Sequence, residues 1–215
     1  RREGLGSRVR CFLTLTEHLQ AELDAMDPDD LGEAAAAIWN TAKRAESSAP
    51  EAVSKAAETG NRGEKQKADR ALQAYCSVLE ALEPIHPDWP ERMRKLNQER
   101  EILLAAIPDF MEKTGYWQYA YEHLMVYFVY RYWGKAAYDG DLLSRASLAV
   151  ASAAFVMMLD LEAFHCFAGF SLEQQADDAK DYSREIEYSE ENMAFLEQVF
   201  WEREELSLEA IKELA

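Results

Sequence analysis

Apolar positions recur at helical spacing along most of this 215-residue chain. Leu5, Val9, Phe12, Thr16, Leu19, Leu23 and Met26 advance by alternating steps of four and three, the repeat that keeps one face of a helix inside. Asp27-Pro28 stops that helix, because proline lacks an amide donor and clashes with the preceding turn. Asp29 or Asp30 caps a second predicted helix ending near Ala45, with Glu33 placed as in a capping box. Residues 46–67 hold few large apolar groups and carry Ser47-Ser48 and Gly60-Asn61-Arg62-Gly63. They predict a mobile linker with one short helix from Pro50. Leu72, Cys76, Leu79 and Leu82 form the next stripe, which ends at Pro84. Asp88 then caps a helix with Pro90 in its first turn, expected to bend or stop near Pro108.

Two stretches are apolar almost all round. Residues 116–133 include Tyr121, Leu124, Met125, Phe128, Tyr132 and Trp133; residues 146–159 are alanine-rich and end in Phe155-Val156-Met157-Met158-Leu159. A membrane span needs about 20 mostly apolar residues. Glu122, His123 and Arg131 interrupt the first run, and the second is too short, so neither is read as a span. Both fit an all-α multi-helix bundle, as two central, doubly buried helices over about 116–137 and 142–161. Tyr138-Asp139-Gly140-Asp141 joins them, with Asp141 as N-cap. From Ser171 a single long helix is predicted, because Tyr182, Ile186, Ser189, Met193, Leu196 and Phe200 again advance by fours and threes. Ser207 caps a short terminal helix.

The formal net charge of −17 excludes nucleic acid and anionic lipid as partners. Residues 171–215 hold 14 acids and 4 bases, a net of −10, which reads as a solvated acidic surface. Cys11, Cys76 and Cys166 show no cluster spacing and read as free thiols in a reducing cytoplasm. Arg1-Arg2-Glu3-Gly4 leads straight into helix without a signal peptide or an initiating Met, so the chain is expected to be a fragment of a longer protein, forming one helical domain over 1–215. Homo-oligomer formation stays open.

Glu162 and His165 have the Glu-x-x-His spacing of a carboxylate-bridged metal site. Glu83 and His86 repeat the letters around Pro84 at a helix end, so no metal is assigned and His165 reads as a C-terminal capping residue. The tyrosines between Tyr116 and Tyr138 suit either core packing or an aromatic pocket for a cation. Arg131 and Arg145 interrupt apolar helices and need carboxylates, with Glu185 and Glu190 the expected partners and Glu122 the reserve. No phosphate loop, nucleophile elbow or zinc spacing is present, and no catalytic residue is assigned.

Tyr182-Ser-Arg-Glu-Ile-Glu-Tyr-Ser-Glu-Glu-Asn192 resembles a segment of the C-terminal region of the bacterial flagellin lysine-N-methylases. The aromatic helix Glu122–Tyr132 and the Tyr138–Arg145 turn are similar to others there, so the resemblance covers about 116–208, with Tyr188 where the family has His. It implies protein lysine methylation, with flagellin or another protein as substrate. It also implies S-adenosylmethionine and an iron–sulfur cluster held by a cysteine-rich N-terminal part that this sequence does not contain. This segment is then expected to be structural or substrate-docking and inactive alone. Tyr182, Arg184, Glu185, Glu190 and Asn192, with Glu122, Arg131 and Arg145, are the candidate substrate-binding or structural ion network. The alternative is a non-enzymatic helical ligand-binding or adaptor module, such as the sensing domain of a regulator.

Overall fold

The computed structural model describes residues 4–25, 62–115, 118–166 and 170–214, and among them every regular element is helical. Helix α1 spans Leu5–Asp24, α2 Arg62–Glu80, α3 Trp89–Thr114 and α4 Gln118–Arg131. A 3-10 turn at Trp133–Lys135 leads into the short α5, Ala136–Asp139, and then α6, Leu142–Cys166. Helix α7 is Leu172–Glu187, α8 Glu190–Glu202 and α9 Leu208–Ile211. The expected helix ending near Ala45 and residues 46–61 of the expected linker lie outside the described residues, while 62–67 begin α2.

Helix α6 is the axis. It packs against α1, α3, α4, α7, α8 and α9, so its alanines and apolar side chains meet protein on every side. It is 25 residues long, longer than the apolar run at 146–159 suggests. By length and composition it could cross a membrane, yet the bundle surrounds it. Phe155 sits at its middle, fully buried, with ring contacts to Tyr75 at 5.7 Å and Tyr182 at 5.9 Å. The turn into α6 needs Gly140, whose φ of 74° lies in the left-handed region that side chains disfavour. Asp141 then caps the helix, its Oδ1 accepting from the Ser144 N–H at 3.0 Å.

Three expectations are corrected. Helix α4 is not doubly buried: Tyr121, Met125 and Phe128 face the core, while Val126 is 68% and Tyr130 86% exposed. Aromatic residues all round a helix carry no direction, so their distribution did not reveal its outer face. Second, the long C-terminal helix is two, because Ser189 accepts the Asn192 N–H at 3.1 Å and starts α8 afresh. Third, of the expected bend or stop near Pro108 the stop does not occur, since α3 runs through it to Thr114.

Phe155→Ala should lower the unfolding free energy by about 3–5 kcal/mol, since it empties the centre of the core. Val126→Ala should change it by less than about 0.5 kcal/mol. Urea denaturation of the two variants checks both values.

Candidate functional site

The segment from Tyr182 to Asn192 is a clamp. Glu185, 1% exposed, accepts backbone N–H bonds from Ile85 and His86, both at 2.8 Å. Asn192 donates to the carbonyls of Glu83 at 2.9 Å and Glu185 at 3.0 Å, and its Oδ1 accepts the Glu83 N–H at 3.1 Å. Together they hold the α2–α3 loop. Arg184 Nε stands 4.0 Å from Glu185, while Glu190 is exposed in the first turn of α8. Tyr182 closes a buried chain of hydroxyls, bonded to the Tyr75 hydroxyl at 2.5 Å and donating to Ser152 Oγ at 2.7 Å. Burial pushes the Tyr75 phenol up to about 12 and raises Tyr182 well above its ordinary value.

The two arginines reach the C-terminal helices, but through other acids. Arg131 pairs with Glu187 at 3.3 Å, and Arg145 with Glu197 at 2.9 Å as well as with Asp139. Glu122 pairs with Arg8 of α1 at 2.5 Å. Glu185 is engaged instead by the Ile85 and His86 amides, and Glu190 lies beyond the break at Ser189, exposed in the first turn of α8.

A buried acidic cluster escaped the sequence reading. Asp160 on α6 is fully buried; its Oδ2 accepts from Tyr121 at 2.5 Å and Gln175 at 3.2 Å. Its Oδ1 has no hydrogen-bond partner among the described residues. Asp178 and Glu162 share Arg92, each at 2.9 Å. Desolvation, reinforced by the charge of Asp178, pushes Asp160 up to about 7. An isolated Asp in an apolar helix was the available signal.

Among the described residues, three depressions of the surface are relevant to binding. An apolar cavity of about 190 Å³ lies among Val9, Met111, Tyr121, Met125 and Met157. It adjoins a groove of about 560 Å³ between α1 and α4, bordered by Phe12, Glu122, Tyr130 and Trp133. The third, about 290 Å³, sits where the end of α1 meets the start of α6 and the end of α8. Asp24, Asp141, Ser147, Phe200 and Trp201 border it. Neither carboxylate pairs with a described cation. Ser147 is 1% exposed, and its hydroxyl has no partner among the described residues, while Trp201 is 71% exposed. Carboxylates, an uncommitted hydroxyl and an aromatic face are what an ammonium group binds. The Asp141 cap was legible in sequence; its meeting with Asp24 and Trp201 was not.

Residues 5–214 match the family model described as the FliB lysine N-methylase C-terminal domain. The chain belongs to that family. No curated protein and no solved structure matches it.

Within this FliB-type domain the cysteines do not suit an iron–sulfur cluster. Cys11 is half-buried on α1, Cys76 buried on α2 and Cys166 exposed at the end of α6. Desolvation holds the Cys76 thiol up at about 12, against the thiolate that metals bind. No cluster of metal-binding side chains occurs among the described residues. Glu162 is engaged by Arg92 and Lys95, and His165 is exposed.

Two outcomes follow for the buried acids. Glu185→Ala strips a charged acceptor from two amides and should cost about 2–4 kcal/mol in urea denaturation, whereas Glu190→Gln should cost less than about 0.5 kcal/mol. Asp160 titrates higher when folded than the 3.8 of an ordinary Asp, so its folded form favours the neutral acid. Its contribution is full below about 4 and is lost as pH rises through about 7. Asp160→Asn should flatten that decline in a series of melts across pH.

Proposed function

We propose that this domain is the substrate-holding, non-catalytic part of a protein-lysine N-methylase, and that the depression at Asp24, Asp141 and Trp201 receives a lysine side chain of the protein substrate. The carrying observation is the meeting, in one pocket, of two carboxylates that pair with no described cation, the Ser147 hydroxyl without a hydrogen-bond partner among the described residues, and the exposed Trp201 ring. The lysine stem packs on Trp201 and Phe200, and its ammonium is held between the carboxylates. Glu202 at the end of α8, with Glu204 and Glu205 beyond it, extends the negative field and favours a basic segment.

Flagellin is the substrate that the resemblance implies, in a bacterial cytoplasm. On this reading S-adenosylmethionine and an iron–sulfur cluster belong to a catalytic part beyond this chain, and the domain supplies position rather than chemistry. The rival reading, a ligand-sensing module, draws on the apolar cavity beside Tyr121. Family membership favours the methylase.

Titration of the chain with Nα-acetyl-lysine methylamide, read by Trp fluorescence, tests the pocket. Saturable binding in the millimolar range, about −4 kcal/mol, is expected, weakened about tenfold by Asp24→Asn and with its optical signal lost in Trp201→Phe. Equal binding of the uncharged norleucine analogue, or no effect of Asp24→Asn, would refute the reading.

A further inference from the structure

Helix α4 carries two apolar stripes. The inner one, Tyr121, Met125, Phe128 and Tyr132 at its end, is in the core. The outer one, Tyr119, His123, Val126 and Tyr130, repeats the same 4-3-4 spacing, and all four residues are exposed. A surface helix of a chain with 40 acidic residues would ordinarily turn charge outward, and exposed apolar stripes mark contact surfaces. We propose that the outer stripe of α4 is a homodimer interface, in which α4 packs antiparallel against the same helix of a second copy of this chain.

Two observations select a second copy as the occupant. The first is charge. A molecule of net charge −17 repels its own copies through most faces. Between residues 115 and 135 the sequence has one acid, Glu122, and the structure pairs it with Arg8. This face is therefore free of the excess that opposes self-association, whereas a basic partner would be drawn to the acidic C-terminal helices instead. The second is spacing. A 4-3-4 repeat reads the same in both directions, so a two-fold axis through its midpoint sets Tyr119 against the partner's Tyr130 and His123 against the partner's Val126. The adjoining groove between α1 and α4 gives the partner's tyrosine a recess, with Phe12 and Trp133 as its walls. Aromatic side chains are the residues that anchor such contacts. The lysine pocket shares no lining residue with this groove, so the two proposals stand or fall separately.

Sedimentation velocity of the 215-residue chain from about 5 to about 200 µM covers the range in which a micromolar dimer dissociates. The expected result is a reversible monomer–dimer equilibrium that tightens with added salt, because salt screens the overall repulsion and leaves the apolar contact. Val126→Glu with Tyr130→Glu should return the chain to monomer and remove any rise of the melting temperature with concentration, while leaving it at the value of the dilute, monomeric wild type, since both side chains point away from the core. Phe195→Glu, a change at an exposed apolar residue of α8, should leave the dimer intact. A wild-type chain that remains monomeric at about 200 µM in about 0.5 M salt overturns the proposal. So does a dimer that Val126→Glu with Tyr130→Glu leaves unchanged.

Discussion

Helix α6 places a serine hydroxyl, Ser152, at the centre of an apolar core, and a buried hydroxyl without partners is costly. Tyr182 reaches in from α7 to donate to it, Tyr75 from α2 bonds Tyr182 in turn, and Ser152 donates to the Leu148 carbonyl at 2.7 Å. Two consecutive helices, α6 and α7, are registered with the sequence-distant α2 by this one chain of hydroxyls. The aromatic rings carrying the hydroxyls pack on Phe155, Phe128 and Phe200, so one set of side chains supplies both direction and buried area. Once α6 and α7 are fixed, Glu185 and Asn192 are placed to clamp the α2–α3 loop, and the arginines find Glu187 and Glu197.

That arrangement separates scaffold from surface. In the family-like segment Tyr182–Asn192, Tyr182, Glu185, Ile186 and Asn192 face inward and serve the fold, while Tyr188, Glu190 and Glu191 are exposed. The two proposed recognition surfaces lie at the rim: the pocket at the N-terminal end of α6 and the outer face of α4. The outer face of α4 contributes little to the core, whereas the pocket sets exposed Trp201 beside Phe200 and Leu208 of the core itself. A lysine methylase has to hold a protein chain as well as transfer a methyl group, and a rigid helical domain with an acidic, aromatic recess is suited to the first task.

Local signals were legible in the sequence, and meetings between distant segments were not. The stripe of α1, the Gly140-Asp141 turn and the Ser171 cap depend on residues a few positions apart, and the structure has them. Ser189 was also local: a serine followed by two glutamates is a helix start, but the apolar repeat ran through it and masked the signal. The outward face of α4 could not be read, because Val126 and Tyr130 have the same chemistry as the buried Met125 and Phe128. The Arg92, Asp178 and Glu162 cluster joins three helices, and no spacing rule brings those positions together. Asp24 and Trp201 are likewise far apart in sequence and adjacent only in the fold.

The central proposal is that a bundle organised on α6 receives the protein substrate in the depression where α1, α6 and α8 converge. Amide hydrogen exchange of the chain, with and without a lysine-bearing protein substrate, tests it most directly. The account predicts that the middle of α6 exchanges only through global unfolding in both states, and that substrate slows exchange at residues 20–24, 141–147 and 199–208. Substrate protection confined to other helices, with these three segments unchanged, would contradict it.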